Sequence, residues 1–439
     1  MRILQLTGGA GRMFCGSCLR DNTLAAALSA RGHDVVLVPM YTPTRTDEPN
    51  VSLDRVFFNG VTVYLEQHSS MFRRAPAFLD RLWDAKWVLR LAESRQIEVD
   101  ARSLGAMTVS VLRGERGFQR KEIVKLVEWV RAQRPFDVIN LPYSLLLGLV
   151  GPLKRAFGVP IGCTLQGEDL FIDRIGEPWR SEALALIRDA SVHADRFMPV
   201  SRFYMDRAPG YFGIPRDKMR LAPLGINLAG HARPRSAPNP GPFTVGYLAR
   251  LAPEKGLHIL CEAYRLLRAS PAAGASRLVV AGYLAPEYRA YFERISASMR
   301  AWGLGGQFEY IGELDRDQKI AFLRSLDVLS VPATYDEPKG IFLLEAMANG
   351  VPVVQPRRGA FTEIVETTGG GILVEPDNPE ALADGIATLW RDPALRSRLG
   401  EMGAAGVREH YSAEHMAKAV EAVYAEMADV RRPALNAEG

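Results

Sequence analysis

Apolar positions along the chain come in two rhythms that alternate from the first residue. Short aliphatic and β-branched runs predict strands at Ile3 to Leu6, Val35 to Pro39, Phe136 to Leu141, Ile161 to Leu165 and Phe197 to Val200. Between them, apolar residues at helical spacing predict helices such as Asn22 to Arg31 and Lys121 to Arg134. Strand, helix, strand in regular succession is the grammar of a parallel, doubly wound α/β sheet.

The rhythm lapses at "NLAGHARPRSAPNPGPF", where Pro, Gly, Ser and Arg displace the core pattern. It then restarts, with strands predicted at Thr244 to Leu248, Arg277 to Ala281, Gln307 to Tyr310, Val328 to Pro332 and Val351 to Gln355. The predicted organisation is therefore an N-terminal Rossmann-like domain at 1–228, a linker at 229–241, and a C-terminal Rossmann-like domain at 242–412. A helix at 413–430, with Met416, Val420, Val423 and Met427 at helical spacing, is expected to return to the first domain, and a tail follows at 431–439. The length of 439 residues fits two cores rather than one. Two such domains are expected to face each other across a cleft at the carboxyl ends of both sheets, where open α/β sheets bind ligands.

Composition narrows the class. Hydrophobic residues at 47% and charged residues at 24% exclude a disordered or membrane-spanning chain. A net charge of +4 is too small to point to nucleic acid but suits anionic small molecules or an anionic surface. With 4 cysteines and no framework of spaced pairs, a reducing compartment is expected. The start "MRILQLTGG" is too short in apolar residues for a secretory signal, and "VINLPYSLLLGLVG" is broken by Pro and Gly before it could span a bilayer. The expected location is the cytoplasm, with the inner face of the membrane open as a contact.

Candidate chemistry concentrates in the second domain. In "VGYLARLAPEKGLHILCEAYRLL", Arg250 and Lys255 sit between a strand and a helix, where two cations suit a diphosphate; the alternative is a solvated basic loop. In "YDEPKGIFLLEAMANGVPVV", Gly340 precedes a helix predicted from Ile341 to Asn349, whose first N–H groups can meet phosphate or sugar oxygens. Glu345 falls one turn into that helix and Glu337 lies before it. Two carboxylates so placed can accept hydrogen bonds from sugar hydroxyls, or can be an ordinary helical residue and a turn acid.

Glu337, Gly340 and "EAMANGVPVV", together with Arg250 and "EKG" at 254–256, resemble the donor-binding signature of the large fourth family of retaining glycosyltransferases, which has the GT-B fold. The resemblance spans the chain, through a glycine loop after the first strand, "ADRFMPVS", and "PLGIN" where that family often shows Asn-Gly-Val-Asp. It implies that Arg250 and Lys255 neutralise the donor diphosphate and that Glu345 binds ribose hydroxyls. Glu337 and the N–H groups after Gly340 would hold the donor sugar, framed by Ile341, Phe342 and Leu343. The leaving nucleotide would depart on the face the acceptor attacks. No metal and no cofactor are expected, and the implied partners are a nucleotide sugar and an acceptor hydroxyl, not nucleic acid.

The first domain departs from the pattern. Gln166 stands in "TLQGEDLF" where the family commonly has His; it can bond a sugar hydroxyl but carries no proton at neutral pH. Glu168 and Asp169 either do polar work there or cap the next helix. The loop "GGAGRMFCGSCLRDN" offers Gly8, Gly9 and Gly11 for close backbone approach, with Arg20, Asp21 and Asn22 expected to open a helix. Gly9, Gly11 and Gln166 are placed on the donor side; Cys15, Arg20, Asp21, Glu168 and Asp169 are placed on the acceptor side. Cys15 and Cys18 form a C-x-x-C at a helix start, where a thiolate would be stabilised; packing or pocket lining is the other reading. A nicotinamide fingerprint is incomplete, since Phe14 replaces the third glycine. The basic and aromatic insertion at 69–95 suits either a membrane surface or a solvated, partly buried helix.

The expectation is thus a retaining, metal-independent glycosyltransferase. A nucleotide-sugar epimerase on the same fold and a non-catalytic nucleotide-sugar-binding protein are the alternatives.

Overall fold

The computed structural model describes residues 1–9, 15–69, 101–231, 241–269 and 274–429. Gly11, all but Ser69 of the 69–95 insertion, most of the expected linker and the tail at 431–439 lie outside the described residues. The chain divides into two compact units. The first holds Met1–Val200, Tyr204–Pro223 and the chain from Ala417 onward; the second holds Ser201–Phe203 and Leu224–Met416.

In the first unit, β1 (Arg2–Thr7), β2 (Asp34–Pro39), β3 (Val138–Leu141), β4 (Ile161–Leu165) and β5 (Arg196–Pro199) form a parallel sheet in the order β2-β1-β3-β4-β5. The strand runs are aliphatic because the sheet is covered: Ile3, Leu4, Leu6, Ile139, Ile161 and Leu165 are all buried. The order reverses between β1 and β3, which is where such sheets open a crevice at their carboxyl ends. Helix α1 (Gly16–Ala30) follows β1.

The second unit repeats the plan with β6 (Phe243–Leu248), β7 (Ser276–Ala281), β8 (Phe308–Tyr310), β9 (Val328–Leu329), β10 (Val353–Pro356) and β11 (Gly371–Val374), ordered β11-β10-β9-β6-β7-β8. Here the switch falls between β6 and β9, which pair directly through Val245 with Val328 and Gly246 with Leu329. Two parallel α/β units of this kind make the GT-B fold.

Two boundaries differ from the sequence reading. Leu224 and Ile226 join the second unit because they pack into its core, and Ile226 bridges Ser412. Strand β11, four half-buried residues behind Gly369 and Gly370, was not among the expected strands. The terminal helix (Ala413–Asp429) returns to the first unit as expected. It is held there by ion pairs from Arg196 and Arg220 to Glu426, each at 2.7 Å, and from His33 to Glu421 at 3.0 Å.

Candidate active site

The two loops that leave the switch strands of the second unit converge on one charged cluster. After β6, a 3-10 turn at Pro253–Lys255 ends at Gly256, held left-handed at φ 72°. A Cβ on Gly256 would sit 1.8 Å from the Pro332 carbonyl oxygen, so only glycine lets this loop lie against the one after β9. Thr334 N donates to the Glu254 carbonyl at 2.9 Å and ties the loops together.

Across that junction the Lys255 ammonium forms an ion pair with the buried Glu337 carboxylate and donates to the Tyr335 hydroxyl at 2.6 Å. Tyr335 in turn donates to Glu337. Burial alone would raise the Glu337 carboxyl, but the Lys255 and Lys339 ammoniums outweigh it and hold the group at about 2. Burial and the Glu337 charge push the Tyr335 phenol well above its ordinary value, which keeps it a donor. Lys339 is half-buried and gives its backbone N–H to Glu337 Oε1 at 3.2 Å. Arg250 pairs with Glu254 at 2.7 Å. In this cluster, then, Lys255 and Arg250 each already have a carboxylate partner.

Gly340 caps the next helix, α2 (Ile341–Ala348), at φ 71°, and a Cβ there would meet Leu343 Cδ1 at 2.8 Å. Leu343 is core, whereas Ile341 and Phe342 stay half-buried, with the Lys255 ammonium 5.8 Å from the Phe342 ring centre. Glu345, one turn on, forms an ion pair with Lys319, and both are buried. Lys319 comes from the helix Arg316–Arg324.

In the first unit the expected residues are placed differently. Gly9 is left-handed, and a Cβ there would lie 2.0 Å from the Thr42 carbonyl, so its freedom serves the packing of two loops. The helix opens at Gly16 rather than Asn22, which corrects the expected role of Arg20, Asp21 and Asn22: all three are buried inside α1. The Arg20 guanidinium meets Asp21 at 3.1 Å and Thr164 at 3.4 Å, while its Nε and Nη2 have no hydrogen-bond partner among the described residues. Burial pushes the Asp21 carboxyl up to about 6 against the pull of Arg20.

Cys15 sits at the N-cap position, but the thiolate expected at this helix start is not favoured at Cys18. Its hydrogen bond to Cys15, then burial, drive the Cys18 thiol far upward. No group of three or more metal-binding side chains exists among the described residues. Gln166 is buried and donates to the Pro142 carbonyl at 2.8 Å. Glu168 does not cap its helix with its side chain; it accepts from Ser144 N and Gln166 N, each at 2.8 Å, and burial raises its carboxyl. Asp169 takes Tyr204 Oη at 3.0 Å and Arg207 Nε at 2.8 Å.

Against known proteins, the family model described as glycosyl transferases group 1 matches residues 231–405, and that of a glycosyl transferase 4-like domain matches residues 22–225. Residues 231–405 thus carry a glycosyl transferases group 1 domain, and residues 22–225 a glycosyl transferase 4-like domain. It is 30% identical over 226 residues to the lipopolysaccharide core biosynthesis mannosyltransferase LpcC of Rhizobium leguminosarum bv. viciae. That match takes in 50% of this chain and 62% of the relative, so the chain spans less than two thirds of that relative's length. A D-inositol 3-phosphate glycosyltransferase of Pseudarthrobacter chlorophenolicus is 25% identical, over 79% of this chain and 85% of the relative. The crystal structure of HepE from Anabaena in complex with UDP and glucose has the same fold, with a TM-score of 0.68 at 17% identity, covering 97% of this chain and 99% of that one.

Within the group 1 domain the structure brings Arg250, Lys255, Glu337 and Gly340 into one unit, with Glu345 in the helix that Gly340 caps. Tyr335 and Lys319 were missed by the sequence reading. Tyr335 is two positions from Glu337 and could have been weighed as its donor; Lys319 is 26 positions from Glu345 and left no local signal. No described helix is long and apolar enough to cross a membrane.

Proposed function

We propose that the protein is a retaining glycosyltransferase that moves a sugar from a nucleotide diphosphate sugar to an acceptor hydroxyl without a metal ion. The observation that carries this reading is the cluster of Lys255, Tyr335 and Glu337 at the β6/β9 switch, beside a helix start and with Glu345 one turn beyond. Arg250 and Lys255 bind the diphosphate, each turning from its carboxylate partner or sharing its charge with the incoming phosphate. As the bond from the anomeric carbon to the phosphate oxygen breaks, negative charge grows on the leaving group, and fixed cations stabilise that charge more than they stabilise the bound donor.

Glu337 stays ionised and accepts donor-sugar hydroxyls, while the N–H groups after Gly340 add partial positive charge. Glu345 accepts the ribose hydroxyls. The HepE complex with UDP and glucose and the sugar-transferring relatives support a nucleotide sugar as donor. The lipopolysaccharide relative supports an acceptor in cell-envelope polysaccharide synthesis.

The test is incubation with a panel of nucleotide sugars, each labelled in the sugar. Label moves to an acceptor glycan with the anomeric configuration kept, and chelation of divalent cations leaves the rate unchanged. Label returned in an epimerised donor, or tight binding with no turnover against any acceptor, would refute the assignment.

A further inference from the structure

We infer that Lys319 is a positioning residue of the donor site: its ammonium fixes the Glu345 carboxylate for the ribose hydroxyls, and so sets the preference of the site for ribonucleotides. This rests on the reading of Glu345 proposed above. Lys319 lies on the helix Arg316–Arg324, which begins with a capping box between Asp315 and Gln318 and carries Ile320, Phe322 and Leu323 into the core. An ammonium among these side chains is costly to bury, and a methionine of similar length would serve packing better. The chain nevertheless places Lys319 at 8% exposure against Glu345 at 5%.

The pair joins two elements that are each fixed. Arg316, on the same helix as Lys319, donates to the Asn227 and Ala229 carbonyls at 3.0 and 2.7 Å. Asn349 donates to the Glu345 carbonyl at 2.9 Å and lies 2.8 Å from His231 Nδ1. Lys319 therefore presents its charge from a held helix to the carboxylate of a residue whose backbone is held. A carboxylate buried without a cation is driven toward its neutral acid, which offers fewer acceptor lone pairs to hydroxyl donors. The ammonium opposes that change and confines the carboxylate to one orientation.

The experiment compares the affinity of UDP and GDP with that of their 2′,3′-dideoxy counterparts and of inorganic pyrophosphate. It uses the wild type, Lys319→Met, Lys319→Arg, Glu345→Gln and the double variant Lys319→Met/Glu345→Gln. Wild type is expected to prefer the ribonucleotide by about tenfold or more, as loss of a charge-assisted hydrogen bond implies. Lys319→Met should reduce that preference below about threefold with pyrophosphate affinity kept, Lys319→Arg should restore part of it, and the double variant should match Glu345→Gln.

Should Lys319→Met fail to fold, the double variant, which removes both buried charges, and Lys319→Arg carry the comparison. Undiminished ribonucleotide preference in Lys319→Met, an equal loss for pyrophosphate, or a further loss on adding it to Glu345→Gln overturns the inference while leaving the donor reading intact. A wild type that binds no nucleotide refutes the proposed function itself, and one that binds UDP or GDP without preferring ribose refutes the role of Glu345.

Discussion

Asp21 and Glu337 are both buried carboxylates beside a cation, yet burial carries the first up to about 6, while at the second the same burial is overcome and the group rests at about 2. The difference lies chiefly in the charge each meets. Asp21 is held down by one guanidinium and by Thr7. Glu337 has the Lys255 ammonium, the Tyr335 hydroxyl, the Lys339 N–H and the Lys339 charge. A helix opens near each, but only the loop before α2 assembles charge around a group kept ionised. Burial beside one cation leaves the carboxyl raised; burial beside two ammoniums holds it down.

The sharpest way to break this contrast is to remove the cations of the second unit. Lys255→Ala and Arg250→Ala should each lower kcat by about 10²- to 10³-fold, the effect of losing one fixed group that stabilises charge in the transition state. Steady-state kinetics with the matched donor, alongside circular dichroism to confirm folding, checks this. Wild-type turnover in both variants would place the leaving-group chemistry elsewhere.

Opposite pH responses come next. The Asp21 carboxyl titrates higher in the folded protein than its ordinary 3.8, so the folded state holds the proton longer and stability falls as pH rises from about 4 to 6. Glu337 is depressed from 4.5 to about 2, so its contribution is present above about 4.5 and is lost as pH falls toward 2. Each shift corresponds to on the order of 3 kcal/mol. In denaturant unfolding across pH, wild type should lose ground to Asp21→Asn between pH 4 and 6. It should gain on Glu337→Gln as pH rises from about 3 to 4.5. Slopes of the same sign in the two comparisons would dissolve the distinction between the carboxylates.

Much of this contrast was legible in the sequence, and the missing part has a physical reason. The strand Ile161–Leu165, the helix from Ile341 and the terminal helix Ala413–Asp429 announce themselves because apolar periodicity is local. Glu337, Gly340 and Glu345 could be read together because they fall within one loop and one helix turn. The pairing of Lys319 with Glu345 could not, since it depends on how two helices meet. The start of α1 was misread for a related reason. Gly16, Ser17 and Cys18 are weak helix formers, and their helix is stabilised by burial of Cys18, Leu24, Ala25 and Leu28 rather than by propensity.

Gly340→Ala probes the helix start itself. At φ 71°, with Leu343 Cδ1 2.8 Å from the new Cβ, it should cost about 1–3 kcal/mol in unfolding free energy and weaken nucleotide binding as the first N–H groups shift. The N-cap of α1, Cys15, has the extended backbone that any residue adopts, with φ −112°. Cys15→Ser is therefore expected to leave stability within about 0.5 kcal/mol of wild type.

The smallest effect is expected at the cysteine pair, where the first unit looks most reactive in sequence. Attack on a disulfide reagent requires the thiolate, and Cys18 is disfavoured as one by its bond to Cys15 and by burial. Cys163 and Cys261 are buried as well, and burial raises both thiols. Ellman's reagent should therefore find at most one fast thiol in the native protein, the half-buried Cys15, and reach the other three only on unfolding. Two fast thiols, or activity of the wild type that differs between reducing and oxidising buffer while the Cys15→Ser/Cys18→Ser variant does not, would show that the first helix start carries chemistry after all. Activity of the double variant within about twofold of wild type in both buffers would leave the charged cluster around Glu337 as the reactive helix start of the two.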